Sequence, residues 1–171
     1  MSKFVGFAQL DMAFEVCVLV RSGNTPVNAD ALPTFRVYGP AGVMNNGTGT
    51  VSFKDTGSIS GATNASPIVV TSTAHKLSTG ARVTITGAAG NTAANGTFVV
   101  TRIDADTFSL QGSTGNGVWT SGGTWNVTGL YKASLSMASA DGYEIGTSYV
   151  VLFVTAVSAA AWADMMGFVA T

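Results

Sequence analysis

The sequence predicts an all-β protein made of two domains, one inserted into the other. Several segments alternate apolar and polar residues with the period of two that β-strands have, and no segment shows a convincing helical period. Between residues 58 and 126, charged residues become rare while Gly, Thr, Asn and Ser become frequent. We therefore predict a host domain formed by 1–57 and 127–171, with an inserted domain at 58–126.

About seven strands are expected in the host domain. The clearest alternation lies in 14–20 and 130–137, whereas 147–157 is apolar on both faces, as a central strand covered on both sides would be. The remaining host strands are predicted at 3–9, 34–38, 51–54 and 161–170, with loops at 21–32 and 41–49. Short strands separated by turns favour an immunoglobulin-like antiparallel β-sandwich.

The inserted domain is predicted to contain five short strands joined by tight turns. They lie at 67–72, 82–87, 96–103, 107–110 and 118–120. Five strands in so short a segment favour a small β-barrel-like or curled sheet.

Composition excludes several functional classes. Only 10% of the 171 residues are charged, against about 25% in typical globular chains. The net charge of −1 and the pI near 5.6 offer no electrostatic footprint for nucleic acid or an anionic membrane. The N-terminus lacks a secretory pattern, and the single cysteine excludes an internal disulfide, so synthesis in a cytoplasm is expected.

No catalytic, cofactor or metal constellation is evident. His75 lacks an indicated nucleophile, and we expect it to support the turn before Leu77 by a hydrogen bond to the backbone. One histidine and one cysteine, Cys17, are too few for a zinc site. Asp104 and Asp106 could bind Ca²⁺ together with loop carbonyl groups, but the multi-ligand loop that Ca²⁺ prefers is missing. A tight turn is therefore the better explanation of these two residues. The chain is therefore expected to be non-enzymatic, with no cofactor.

Two tryptophans of the inserted domain are candidate ligand contacts. Trp119 and Trp125 could stack on sugars, and the alternative, which aromatic residues on a small β-scaffold favour, is that they close a core. Both interpretations remain open from the sequence.

The inserted domain resembles a repeat found in tailed-phage virion proteins, a repeat itself likened to the small FCCH β-domain of ubiquitin-activating enzymes in fold only. The resemblance is carried by segments of recurring pattern, with departures at Lys76 (usually glycine) and Ala81 (usually acidic). The segments are Asn64 to His75, Leu77 to Gly80, Val83 to Gly87, Asn95 to Val99, Asp106 to Leu110 and Thr120 to Trp125.

The host domain is similar to short proteins encoded among phage structural genes. The matching stretches are the opening 4–11, the strand 33–38 and the turns at 128–131 and 142–144. Together the resemblances imply a virion structural protein, most specifically a capsid decoration or cement protein on the capsid surface. The implied partners are the major capsid protein and further copies of the chain, as a homotrimer or quasi-symmetric array, without nucleic acid or membrane.

Two alternatives stay open: a tail, neck or baseplate adaptor, and a fibre-associated carbohydrate-binding module. For the decoration protein, the apolar N-terminal strand is the candidate partner-binding segment, because it could pair with the edge of a partner's sheet. Its candidate contacts are Phe4, Val5, Phe7 and Gln9.

Overall fold

The computed structural model describes the backbone of residues 3–171 and the side chains of residues 6–171. Within that range the protein is all-β, as predicted, with two short 3₁₀ turns and no α-helix. No described helix is long and apolar enough to span a membrane. In chain order the strands are β1 (Lys3–Ala8), β2 (Ala13–Leu19), β3 (Arg21–Ser22), β4 (Thr25–Pro26), β5 (Thr34–Gly39), β6 (Gly42–Thr50), β7 (Ser52–Phe53), β8 (Thr56–Ser58), β9 (Gly61–Ala62), β10 (Ile68–Thr71), β11 (Arg82–Thr86), β12 (Gly96–Arg102), β13 (Thr107–Leu110), β14 (Thr124–Val127), β15 (Leu130–Ser136), β16 (Ser148–Val157) and β17 (Ala160–Ala170).

The chain divides into two compact units. The host unit comprises the residues up to Ser52 and Gly129–Thr171, and the inserted unit comprises Phe53–Thr128. These boundaries lie five residues before and two residues after those expected from composition, at 58 and 126. The shift has a local cause, because β8 and β14 pair with each other and so belong to the inserted unit.

A five-stranded sheet in the host unit has the order β1-β17-β16-β5-β6. Neighbours pair antiparallel except at one edge, where β1 runs parallel to β17. The expectation of a purely antiparallel host is therefore wrong at this edge. The loop expected at 41–49 is instead part of β6, which pairs with β5 at Gly42, Val43, Thr48, Gly49 and Thr50. The turn signal persists as an irregularity between these paired positions, where Asn46 has a φ of +51°.

The host unit's second sheet has the order β2-β15-β7. The predicted alternation is confirmed, because β2 buries Val16 and Val18 and β15 buries Tyr131, Ala133 and Leu135. The two sheets meet through an edge-to-face contact between Phe14 of β2 and Phe168 of β17, whose ring centroids lie 5.1 Å apart. Each sheet thus turns one apolar face into the core of the unit.

Strand β16 is central, as predicted, but it is covered on one face only. Tyr149, Val151 and Phe153 are buried, while Val154 on the opposite face is 43% exposed. The expectation that 147–157 is covered on both sides is wrong. Its second apolar face lies at the surface of the host unit.

In the inserted unit, one antiparallel sheet has the order β8-β14-β11-β12-β13-β10-β9. Its two edge strands, β8 and β9, are separated in the chain by only Ile59 and Ser60, so the sheet must curl until its edges approach each other. Two hydrogen bonds hold this junction: Ile59 N–H donates to Gly123 O, and Ser60 N–H donates to Thr71 O, both at 2.9 Å. The predicted curled sheet is confirmed.

The strand content of the inserted unit differs from expectation at its C-terminal end. Residues 118–120 are not a strand, and the final strand is β14, which pairs with β8 and β11. The curled sheet encloses a core built from side chains of most of its strands. Members of that core include Ile68, Val70, Val83, Ile85, Val100, Phe108, Leu110 and Trp125.

Candidate functional site

The surface most suited to binding is the outer face of the five-stranded host sheet. We call this the exposed sheet face and define it by Phe7, Tyr38, Val150, Leu152, Val154, Met165 and Val169. Cross-strand register groups these side chains. Leu152 of β16 lies opposite Met165 of β17 on one side and Arg36 of β5 on the other. Phe7 of β1 lies opposite Val169 of β17.

Several side chains of the exposed sheet face are accessible to solvent. Phe7 is 74% exposed, and Val154 and Met165 are each 43% exposed. Tyr38, Val150 and Leu152 are half-buried, because neighbours on the same face partly cover them. Exposed apolar side chains grouped in this way are a feature of protein-binding surfaces.

Charge on the exposed sheet face is sparse. Among the described side chains, the charged residue on the face is Arg36, which is exposed and lies next to Leu152 in register. Threonines border the face at Thr34 and Thr48. This arrangement suits a protein surface that buries apolar area, with a few polar contacts at the rim.

Of the sequence-predicted partner contacts, Phe4 and Val5 have side chains that lie outside the described residues. Phe7 and Gln9 are exposed, and Phe7 belongs to the exposed sheet face. One edge of strand β1 is already paired, because its backbone bonds to β17 of the same chain. Leu10 N–H also donates to Thr171 O at 2.9 Å, which fixes the end of the segment. β1 is nevertheless an end strand of the five-stranded sheet, so the pairing of its second edge with a partner stays a prediction.

Trp125 is a core residue, so its assignment as a glycan contact is wrong. It is 3% exposed, and its indole N–H donates to Ser72 Oγ at 2.8 Å. Phe108 packs edge-to-face against it with ring centroids 6.2 Å apart. Gly57 provides the space for the ring, because a Cβ there would lie 2.8 Å from the indole.

Trp119, in contrast, is half-exposed and lines a groove in the inserted unit. We call this the Trp119 groove; it has a volume of about 330 Å³ and is formed with Thr63, Asn64, Thr71 and Val118, besides Gly61 and Ala62. The indole N–H donates to Gly122 O at 3.1 Å. The ring is thereby fixed in orientation.

The predicted structural role of His75 is confirmed. Its Nδ1 accepts a hydrogen bond from Leu77 N–H at 3.0 Å, and its Nε2 lies 3.2 Å from Thr107 O. These contacts fit the neutral ring with its proton on Nε2. The side chain is 5% exposed and packs edge-to-face against Phe108, so no ring nitrogen is left for chemistry at a surface.

The two aspartates considered for Ca²⁺ act in a turn. Asp104 Oδ1 accepts the backbone N–H groups of Asp106 and Thr107 at 2.8 and 2.7 Å. Hydrogen bonds from Asp106 and then Thr107 lower the pKa of Asp104. Asp106 Oδ1 accepts Ala74 N–H at 2.7 Å, which ties this turn to the segment that carries His75.

Metal-ligand clusters are not found in the described part of the chain, where no group of three or more His, Cys, Asp or Glu could hold an ion. Cys17 is exposed on the outer side of β2 and lines a cleft with Trp162 and Asp164. No nucleophile–base pair is formed around it.

Sequence reasoning missed the central residues of the exposed sheet face. The sequence predicts that Leu152 and Val154 lie in a doubly covered strand, and it gives Met165 no distinct role. The near absence of charged residues from 147–157 and 161–170 indicates apolar strands. A lack of charge cannot show, however, whether an apolar face of a strand is buried or exposed.

Comparison with known proteins adds no assignment: no protein-family model and no curated protein matches the chain.

Proposed function

We propose that the chain is a non-enzymatic structural protein of a tailed-phage particle, most specifically a capsid decoration protein. It binds the outer surface of the major capsid protein shell and stabilises that shell. The resemblance of both domains to phage virion proteins supplies the class. The exposed sheet face is the single structural observation that supports attachment through the host unit.

The energetic argument follows from the chemistry of that face. Burying apolar surface contributes about 25 cal/mol per Å², and a face that carries little charge loses little through desolvation of unpaired charges. Val154, Met165 and Phe7 therefore provide the apolar contact area, and Arg36 provides a polar contact beside it. Each copy need bind only weakly when many copies, as homotrimers or a quasi-symmetric array, act on one particle.

The host unit is, in this proposal, an immunoglobulin-like β-sandwich. Two sheets that each bury one face and meet through Phe14 and Phe168 support this architecture. The parallel pairing of β1 with β17 is a departure from a purely antiparallel sandwich. It extends the five-stranded sheet by one strand and so enlarges the exposed sheet face.

Copy number per particle is the experiment that tests the proposal. Quantitative mass spectrometry of purified virions should find hundreds of copies, as a shell lattice requires. About six or twelve copies would instead place the protein in the tail, neck or baseplate, following the symmetry of those structures. Absence from purified virions would overturn the proposal of a virion protein altogether.

A further inference from the structure

The Trp119 groove has the features of a small-ligand site, and it belongs to the inserted unit, apart from the surface proposed for attachment. Its volume of about 330 Å³ falls at the lower end of the range of ligand pockets, which begins near 300 Å³. Trp119 packs against the core of the unit with one part and leaves another part exposed. Val118 beside it is 76% exposed.

The polar atoms of Trp119 are already used, so the ring offers its apolar face. The indole N–H is bonded to Gly122 O, so a ligand would meet the ring through its carbon atoms and π-system. A flat apolar group of a ligand could stack there. The hydrogen-bonding capacity of the groove must then come from other side chains.

Those side chains are hydroxyls and an amide. Thr63 Oγ1 accepts the N–H of Val69 at 2.9 Å, and its own hydroxyl hydrogen remains a donor. Thr71 and the exposed Asn64 add a second hydroxyl and a side-chain amide. No charged residue lines the groove. A phosphate or sulfate would find no cation, so the groove fits a neutral ligand rich in hydroxyl groups.

Both walls of the groove are held in place without a ligand. Asn91, 0% exposed, donates from Nδ2 to Thr63 O at 2.8 Å and accepts Asn116 N–H at 3.2 Å. On the tryptophan side, Thr120 N–H donates to Ala89 O at 3.0 Å. A preformed site loses less entropy on binding than a mobile one.

Gly90 makes the close approach of the two loops possible. Its φ of +78° is unfavourable for other residues, and a Cβ there would collide with the carbonyl oxygen of Val118. The loop containing Val118 and Trp119 therefore packs directly on backbone. This long segment without regular strands is fixed where it forms the groove.

We infer that the Trp119 groove binds a neutral carbohydrate. The apolar face of one sugar ring stacks on the indole of Trp119, and its hydroxyl groups bond to Thr63, Asn64 and Thr71. This inference is independent of attachment through the exposed sheet face. A free chain would bind the same glycan as a particle-bound one.

The test uses the purified full chain on an array of neutral oligosaccharides built from glucose, galactose, mannose and N-acetylhexosamines, with heparin as the anionic probe. The best neutral oligosaccharide is then titrated by calorimetry. We expect Trp119→Ala to weaken its Kd about tenfold or more, and Trp119→Phe to retain most of the affinity. Ile103→Ala, which removes a 55% exposed side chain in the same unit, should leave the Kd unchanged.

Because Trp119 also packs against the core, a second variant keeps the test independent of folding. The double change Asn64→Ala with Thr71→Ala removes groove hydrogen bonds without touching the indole, and it should also weaken binding. The inference is overturned by any of three results: no neutral oligosaccharide binds, heparin binds in preference to all of them, or both groove variants bind as tightly as the unaltered chain.

Discussion

The two units of the chain differ in how completely their sheets are closed and covered. In the inserted unit, the sheet curls until its edge strands β8 and β9 are joined by two residues, and side chains bond its loops to one another. In the host unit, one sheet leaves an apolar face at the surface and has two edge strands, β1 and β6. The inserted unit bonds many of its loop groups internally, while the host unit leaves apolar side chains exposed on one face of a sheet.

Side-chain hydrogen bonds show the difference most clearly. Asn91, Asn95, Ser113 and His75 each bond backbone groups of the inserted unit, and three of them are almost wholly buried. They substitute for regular strands in loops rich in glycine. Host strands β16 and β17 are instead joined along ten paired positions and need few such bonds.

The polarity of a unit's sequence does not by itself determine how much apolar surface that unit exposes. The inserted unit has few charges and many small polar residues, and a few of them, such as Ser72, Asn91 and Ser113, are buried and hydrogen-bonded. The host unit has the clearer apolar alternation, yet it exposes Val154 and Met165. Binding capacity thus depends on which side of a strand remains uncovered.

The largest loss of stability is expected when the central side chain of the inserted unit's core is removed. Trp125→Ala should lower the free energy of unfolding of that unit by about 3–5 kcal/mol, because it leaves a cavity and an unpaired Ser72 hydroxyl. Hydrogen exchange in β10–β14 measures the effect. Trp125→Phe is the control and should cost less, since it retains an aromatic ring. A loss below about 1 kcal/mol for the alanine variant would contradict the assignment of Trp125 to the core.

A smaller effect is expected from Asn91→Ala, which removes a buried link between loops. The Thr63 carbonyl and the Asn116 N–H would lose their partner, at a cost of about 2 kcal/mol in the stability of the inserted unit. Denaturant unfolding, with Asn64→Ala as the matched exposed control, measures this cost. Equal stability of the two variants would show that the loops do not depend on Asn91.

The host unit should behave differently when its exposed sheet face is altered. Val154→Asp and Met165→Asp, made together, should lower the free energy of unfolding by about 1 kcal/mol per site, because both side chains are partly exposed already and aspartate is only modestly disfavoured in a strand. Thermal unfolding of the full chain is the measurement. A large loss of stability would mean that this face belongs to the core, and the distinction between the two units would fail.

The smallest expected effect concerns the Asp104 turn and acid. Because hydrogen bonds lower the folded pKa of Asp104 below 3.8, its carboxylate contributes stability above about pH 3.8, and that contribution is lost as pH falls through the folded value. Asp104→Asn should therefore reduce the pH dependence of Tm below pH 3.8. An unchanged acid limb in the variant would show that the turn does not depend on the charge of Asp104.

Patterns that depend on local spacing could be predicted from the sequence. The alternation in β2 and β15 determined which side chains are buried, since a period of two assigns faces before any partner is known. Strand β6 could not be predicted in this way. Its Asn and Gly residues are typical of turns, and Gly42 and Gly49 are part of a strand only because they pair with β5, while Asn46 keeps a positive φ.

Surfaces formed by segments that are far apart in the chain could not be predicted from the sequence. The exposed sheet face joins Phe7, Leu152 and Met165, which come together only through the register of β1, β16 and β17. The Trp119 groove likewise depends on Asn91 and Gly90, which no local pattern connects to Thr63 or Val118. The sequence also could not show which of Trp119 and Trp125 is exposed. The structure buries Trp125 and leaves Trp119 half-exposed.

Particle occupancy of the exposed-sheet-face variant tests the central claim most directly. Virions assembled without the protein are mixed with the full chain, with the Val154→Asp and Met165→Asp double variant, or with Ile103→Asp, and the bound copies are counted by mass spectrometry. We expect near-complete occupancy for the full chain and for Ile103→Asp, and a loss of about tenfold or more in affinity for the double variant, because two carboxylates would be buried against the shell. Normal occupancy by a correctly folded double variant would contradict attachment through this face.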